Sequence, residues 1–204
     1  MAANLKQDRD ILHQGGEPSA LWEVGEQQYD SAATSRPALP EMRTSPYVRF
    51  VPGGKNADIG GGRYDKFTDY LLERDVENVI YDPFNRELDH NHAAAGKIHG
   101  GQADTATVNK VLNVIKEERV RSKVIAQAAD AIKQDGEAYF AIYEGGTKGP
   151  TRGDGYQRSV KTEVYVPEIK KHFGKVKRHG KVIIASEPLK DSDILYQGGG
   201  VDSD

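Results

Sequence analysis

Asp58, Gly60, Gly61 and Gly62, with Asp82 lying 22 residues beyond Gly60, are the residues whose types and spacing can act together as one chemical site. Glycines let backbone come close to a ligand, the N-terminus of a following helix offers free N–H groups, and a carboxylate at the end of the next strand accepts both hydroxyls of a ribose. The ligand that fits such a set contains a ribose. Asp58 then selects among such ligands. A dinucleotide lays a doubly negative pyrophosphate on this turn, and a carboxylate two residues before the first glycine repels it. S-adenosylmethionine carries an ammonium and a sulfonium instead, and beside these an acid is favourable. Tyr64 stands where a third glycine is common, so its ring is expected to pack beside the ligand. A solvated Asp58 and an ordinary glycine loop would use the same residues, so the surrounding elements decide between the two.

Those elements are legible. Tyr47–Val51 alternates and Lys55–Ile59 runs into the glycines, which predicts a strand ending in a turn. Asp65 is a suitable N-cap for a helix of about ten residues in which Phe67, Tyr70, Leu71 and Arg74 recur at three-and-four spacing. The run 77–82 is a second strand, stopped by Pro83, and together these parts make a βαβ unit. A short helix is expected over 84–96, a weak strand near 97–99, and a further strand at Thr105–Val108. Val120, Val124, Ala128 and Ile132 fall four apart and predict a helix, with Glu117 and Glu118 in its first turn and Gly136 as its stop. Ala138–Tyr143 is apolar throughout, as a central strand covered on both faces must be. A helix over 164–173 with Pro167 in its first turn, then two strands at 175–178 and 181–186 joined through His179-Gly180, close the pattern. The predicted fold is α/β, a Rossmann-like doubly wound seven-stranded sheet with a C-terminal antiparallel hairpin. It spans 47–187, after an irregular arm over 1–46 and before a flexible acidic tail over 188–204; Trp22, Val24 and Tyr29 are the residues that would pin the arm onto the domain as an ordered lid, with a mobile terminus as the alternative.

Composition sets the bounds. The chain has no cysteine, which excludes a disulfide scaffold, a thiolate metal site and a cysteine nucleophile. Net charge is −3, so attraction to a polyanion must come from a local patch. No apolar run approaches the length of a membrane span, and a soluble, cytoplasmic protein is expected. Of 22 glycines, five fall between Gly53 and Gly62 and five between Gly145 and Gly155. The second cluster follows the expected fifth strand, at the sheet edge where α/β proteins bind ligands. Lys148, Arg152, Arg158 and Lys161 face one acid there, Asp154, and Tyr156 is interleaved. The loop 145–161 is therefore the candidate contact for a nucleic acid or other anionic acceptor, with a plain solvated loop as the alternative. His90 and His92 form an H-x-H pair without a convincing third ligand and are read as surface residues, so no metal is expected.

The segments Asp58-Ile-Gly-Gly-Gly-Arg-Tyr-Asp65, Tyr81-Asp82-Pro83, and Ala103-Asp104 running to Val111-Leu-Asn-Val-Ile115 with Glu117, Glu118 and Arg119 resemble class I S-adenosylmethionine-dependent methyltransferases. The pattern is most similar to that of DNA phosphorothioation-associated and phage methyltransferase-like proteins, over residues 50–186. The resemblance implies that Gly60 and Gly62 approach the methionine part, Asp58 its ammonium and Asp82 the ribose. It also implies that Phe84, after Pro83, flanks the adenine, and that Gln102 to Asp104 contact the adenine amine. Thr107, Asn109 and Asn113 would stand beside the sulfonium methyl, with Asn109 and Asn113 as catalytic candidates; a helix N-cap is the other role open to Asn113. Methyl transfer is an in-line displacement from a good leaving group, so alignment and exclusion of water matter more than a base. Where many base-amino methyltransferases carry N/D-P-P-Y/F, this chain reads Asn109-Lys110-Val111-Leu112, which tells against methylation of base amines in duplex DNA. Two rival functions fit the same elements: a protein that binds the cofactor and acts on a partner without methyl transfer, and a nicotinamide-dependent oxidoreductase, which Asp58 disfavours.

Overall fold

Lys55–Ile59 forms β1, and four of its five residues are buried, which suits the middle of a parallel sheet. The computed structural model describes residues 20–146 and 155–190. The other strands are β2 (Glu77–Tyr81), β3 (Ala103–Asn109), β4 (Ile132–Ala141), β5 (Phe173–His179) and β6 (Val182–Pro188). The helices are α1 (Lys66–Leu72), α2 (Leu88–Ile98), α3 (Glu118–Ala131) and α4 (Val166–Lys170). They make one six-stranded sheet in the order β2-β1-β3-β4-β6-β5. The first four strands are parallel, and β6 is antiparallel to both of its neighbours. Because β1 has β2 on one side and β3 on the other, the chain winds outward, returns, and winds out the other way. That reversal is the switch point of a doubly wound Rossmann-like sheet, and it opens a crevice outside the carboxyl ends of β1 and β3.

The sheet is covered unequally. On one face α2, α3 and α4 pack around Ile98, Ile125, Phe140 and Ile169. The other face carries α1 through Phe67 and Leu71, and then the segment 42–51 through Met42, Val48 and Phe50. Over β6 and β5 no helix of the described residues covers that second face.

The sheet has six strands where seven are expected from sequence. Residues 97–99 belong to the end of α2: Ile98 is fully buried beside Ala94 and Ala95 at helical spacing, and His99 N donates to Ala95 O at 2.9 Å. Two glycines with positive φ, Gly100 and Gly101, then carry the chain directly to the amino end of β3. The segment 47–51 lies outside the sheet and packs across it. Gly136 does not stop α3, which ends at Ala131; it lies inside β4, where pairing jumps from Ala103–Ile132 to Thr105–Glu137. A Cβ at Gly136 would stand 2.7 Å from Asp104 O, so glycine is required by close strand approach. Asp65 makes no capping hydrogen bond and pairs with Arg86 at 2.7 Å instead. The helix with Pro167 in its first turn is shorter than expected, Val166–Lys170 after a 3₁₀ turn at Thr162–Tyr165, and the β5–β6 hairpin forms with longer strands than expected and Gly180 at φ 61° in its turn.

Residues 20–46 are built into the domain. They form three short 3₁₀ turns, at Ala20–Trp22, Ser31–Thr34 and Glu41–Thr44. Trp22 is buried, meets Tyr81 edge to face at 5.0 Å and donates its indole N–H to Asp130 at 2.9 Å. Met42 is buried against Val48 and Tyr139 at the other end of the segment.

Candidate functional site

The switch point places the glycine turn after β1 opposite the Asn109-Lys110-Val111 turn after β3, and a cavity of about 340 Å³ lies between them. That volume suits a small-molecule ligand. Its walls include Asp58, Gly60–Gly62, Tyr64, Asp82, Pro83, Phe84 and Asn109. Gly60 (φ 74°) and Gly62 (φ 78°) occupy the left-handed region. The three glycines are also forced by contact within the chain. A Cβ on Gly60 would stand 2.6 Å from a Val111 methyl, one on Gly61 would stand 2.5 Å from Asp58 Oδ2, and one on Gly62 would stand 2.8 Å from Ser35 Oγ. The turn is thus compressed from three sides before any ligand is considered.

Asp58 lies beneath Gly61 and is 2% exposed. Its carboxylate accepts from Thr107 Oγ1 at 3.0 Å and Asn78 Nδ2 at 3.3 Å, both neutral donors. These two belong to a buried polar network in which Asn56 Nδ2 donates to Thr107 and Asn78, and Thr105 donates to Asn56. Burial pushes the Asp58 carboxyl up to about 6, the Asp82 charge adds to the rise, and the two hydrogen bonds and Arg86 oppose it. The floor of the cavity therefore carries an acid with no cationic group bonded to it.

Asp82 ends up beside that acid for a different local reason. It follows β2 directly and acts as the hub of the next turn. Oδ2 accepts from Gly62 N at 2.8 Å and Asn85 Nδ2 at 3.0 Å, and Oδ1 accepts from Phe84 N at 3.0 Å and Asn85 N at 3.1 Å. The four bonds tie the glycine turn to the β2 turn. Arg86 reinforces the tie by donating to Gly62 O at 2.8 Å. Two buried acceptors in the wall, Asn85 Oδ1 and Asn109 Oδ1, have no partner among the described residues.

The roof of the cavity comes from residues 23–40. Val24, Gly25, Ser31, Ser35, Arg36 and Leu39 all line it. Ser35 Oγ accepts from Arg63 N at 3.4 Å, and Arg63 Nη2 donates to Ala32 O at 2.8 Å, which clamps the roof to the glycine turn. At the opposite wall Gln28 N donates to Glu117 Oε1 at 3.0 Å, and Lys116 donates to Gln28 at 2.9 Å. The sequence reading left this segment open between a lid pinned by Trp22, Val24 and Tyr29 and a mobile terminus; Trp22 is buried, Val24 lines the cavity and Tyr29 stacks on Tyr156, while the residues that clamp the segment to the glycine turn, Ser35 and Arg63, went unnoticed in sequence. It also missed Lys110, which sits at φ 57° and donates its N–H to Ala141 O at 2.8 Å.

Several predicted residues lie elsewhere. Gln102 and Asp104 stand at the amino end of β3, far along the strand from the cavity, and line a separate open cleft with Lys55 and Lys133. Asp104 accepts from Lys55 N at 2.8 Å and Lys133 Nζ at 2.7 Å, contacts that hold its carboxyl below the usual range and staple the sheet. The structure does not bring them to the cavity, because with no strand between α2 and β3 the chain enters β3 at the opposite edge of the sheet. Asn113 is absent from the cavity wall. It lies in a 3₁₀ turn, donates to Gln157 at 3.0 Å and accepts from Tyr143 N, and so anchors the chain on either side of the second glycine cluster rather than a methyl group. The N-cap position of α3 is Glu117, so Asn113 does not cap that helix.

Arg158 is committed to Glu168 at 3.0 Å, in a cluster where Arg121, 4% exposed, meets the same carboxylate at 2.9 Å. Lys161 pairs with Glu144 at 3.3 Å, and Tyr156 stacks on Tyr29 of the roof with centroids 5.4 Å apart. Lys148 and Arg152 lie outside the described residues. The described part of the basic loop is thus occupied with its own chain. Among the described residues no cluster of His, Asp and Glu is arranged to hold a metal ion, and no helix is long and apolar enough to cross a membrane.

No protein-family model matches the chain, and no curated protein matches it. Among solved structures it is similar to the 1,6-didemethyltoxoflavin-N1-methyltransferase of Burkholderia thailandensis, crystallised with bound 1,6-didemethyltoxoflavin and S-adenosylhomocysteine: 17% identity, TM-score 0.47, covering 68% of this chain and 72% of that one. It is also similar to a TehB-like SAM-dependent methyltransferase of Corynebacterium glutamicum, at 14% identity and TM-score 0.47, over 68% of this chain and 82% of that one. A SAM-dependent methyltransferase of Thermotoga maritima gives 16% identity and TM-score 0.48, over 68% and 84% of the two chains. Likeness at this level assigns no chemistry, which rests on the residues of the site.

Proposed function

We propose that the protein is a S-adenosylmethionine-dependent methyltransferase that binds its cofactor in the cavity at the carboxyl ends of β1 and β3. The observation that carries this reading is Asp58, a buried acid under the glycine turn whose hydrogen-bond donors are both neutral. Burial of a charge is tolerated where an opposite charge meets it, and an ammonium is the group this floor calls for. A pyrophosphate on the same turn would face two buried carboxylates, which disfavours a nicotinamide dinucleotide. The unpartnered Asn85 and Asn109 oxygens suit a ligand rich in N–H and O–H donors.

When bound, the cofactor supplies an electrophilic methyl group on sulfur. The residues of the chain then hold and shield it. Asp58 holds the ammonium, and Gly60 and Gly62 allow close approach. Asp82 accepts ribose hydroxyls by giving up Asn85 Nδ2, the only side-chain donor among its four. Pro83 and Phe84, in the cavity wall, would flank the adenine, while Val111, Val120 and Val124 give an apolar wall. The roof over 23–40 keeps water from the reacting atoms, which is most of what a methyl transfer needs. Asn109, at the end of β3, is the residue in the wall placed to meet the acceptor; Asn113 is not.

Within this class the resemblance to DNA phosphorothioation-associated and phage methyltransferase-like proteins favours a nucleic-acid acceptor. Isothermal titration with S-adenosylmethionine, S-adenosylhomocysteine and NAD tests the ligand: heat is expected from the first two and none from NAD, and the reverse overturns the reading. Labelled methyl transfer to RNA, DNA and protein fractions then tests the acceptor. A second reading, cofactor binding without transfer, is favoured by the clamp of Ser35 and Arg63 over the glycine turn; it predicts saturable binding and no label in any fraction.

A further inference from the structure

The open face of β5 and β6 carries a charge distribution unlike that of the rest of the chain. From Ile169 to Ser186 there are six Lys and Arg residues and no acid, in a protein of net charge −3. Strand pairing fixes which of them share a face. Lys177 pairs with Ile184 and His179 with Val182, and Ile184 and Val182 pack with Met42 and Tyr139 on the face that bears no helix there. Lys175, opposite Ser186, falls on the same face by strand alternation. Lys175 and Lys177 are exposed and form no ion pair with other described residues, while Lys181 lies in the hairpin turn beside Val182 and is not placed on this face by the pairing. Arg49 joins them: its backbone is held at both N and O by the Tyr139 hydroxyl, and the residue is exposed. Glu137 lies in the same row as Lys175, across Ser186, and accepts from Tyr139 at 2.7 Å; Glu187 lies near the end of β6. Lys171 and Arg178 take no part, since one pairs with Glu118 and the other donates to Gly180 O.

An aromatic pair lies at the end of this row. Tyr47 stacks on His179 with centroids 3.8 Å apart and planes 13° from parallel, and Tyr47 is still 49% exposed. One ring face is therefore available to a flat partner. We propose that this face, formed by Arg49, Lys175, Lys177 and the Tyr47–His179 stack, is a docking surface for single-stranded nucleic acid. Alternate strand residues set the ammonium groups in a line with about 7 Å between neighbours, a row that can follow a phosphate backbone. The stacked rings offer a base a platform without reading its identity. An anionic membrane would call for exposed apolar side chains between the cations, and here Val182 and Ile184 are turned into packing against Met42 and Val48. This surface goes beyond the methyl-transfer reading and holds whether or not a cofactor binds.

The test is fluorescence anisotropy of the full chain with labelled 20-nucleotide dT and rU strands, over a salt series without cofactor. Three cations on phosphates predict a slope of log K against log salt of about −2, at about −0.7 per phosphate. Lys175→Ala/Lys177→Ala should make the slope shallower by about 1.4. Tyr47→Ala should weaken binding about tenfold and leave the slope unchanged, because a lost stack releases no counterions. These positions are exposed, and unchanged thermal unfolding of Lys175→Ala/Lys177→Ala shows that the fold is intact. Absence of binding at 50 mM salt, a slope the double variant does not alter, or binding to phosphatidylserine vesicles in place of either strand would overturn the proposal.

Discussion

Replacing Asp58 with Asn should make the ligand-free protein more stable while abolishing tight cofactor binding. Asp58 has its carboxyl raised from 3.8 to about 6, chiefly by burial. The folded protein therefore holds a proton between those pH values that the unfolded chain has already lost, and stability falls as pH rises through that window. The cost is absent below about pH 4, fully present above about pH 6, and amounts to about 3 kcal/mol. Asparagine never ionises and escapes it, but one amide N–H must face the Asn78 or Thr107 donor, a loss of about 1–1.5 kcal/mol at every pH. The variant should thus gain about 1–2 kcal/mol at pH 7.5, a rise in Tm of about 2–8 °C, and should be slightly less stable than the parent at pH 4. His172, whose imidazole burial holds at about 4, acts in the opposite sense over the same range, losing stability as pH falls; it is common to both proteins and cancels in the difference. Urea titrations of both proteins between pH 4 and 8 give that difference directly. A difference that does not change with pH, or an Asn variant less stable at pH 7.5, would refute the idea that Asp58 is a charge held against its solvation for a ligand. In the same variant S-adenosylhomocysteine should bind about 10- to 150-fold more weakly, since a charge-assisted hydrogen bond is lost.

Gly60→Ala places a Cβ 2.6 Å from Val111 at φ 74°, so it should cost about 2 kcal/mol or more in urea unfolding, and Val111→Ala in the same chain should restore part of that. Trp22→Ala removes the buried anchor of the roof and should cost about 3–5 kcal/mol; residues 20–46 should then be cleaved faster by trypsin while unfolding remains cooperative. Glu168→Ala leaves Arg121, 4% exposed, without its carboxylate and should cost about 3–5 kcal/mol by thermal or urea unfolding.

The parts of the fold that were legible in sequence are those with a period or a local stop. The α3 stripe, the apolar run that becomes β4, and the glycine turn between β1 and α1 each rest on neighbours within a few residues. The parts that were not legible depend on contacts between distant residues. Residues 97–99 resemble a strand until Ile98 is seen packing with Ala94 and Ala95 on one helix face. With that strand gone, the loop expected to carry adenine contacts at the carboxyl edge is gone too, which moves Gln102 and Asp104 to the opposite edge. Asp58 and Asp82 were found because their spacing is set by a single βαβ unit. Arg158 was misjudged because its partner, Glu168, meets it only once the 3₁₀ turn at Thr162–Tyr165 has brought α4 back against α3. The roof was legible in part: Trp22, Val24 and Tyr29 marked the arm as one that can be pinned to the domain, but the partner of Trp22, Asp130, lies 108 residues away and nothing local announces it.

The central claim, that this cavity takes S-adenosylmethionine with its ammonium over Asp58, is tested most directly by a crystal structure of the protein with S-adenosylhomocysteine. Density is expected between the glycine turn and Val111, with the amino group within hydrogen-bond reach of Asp58 or one water away. Density at another site, or the adenine rather than the methionine end over Asp58, would contradict it.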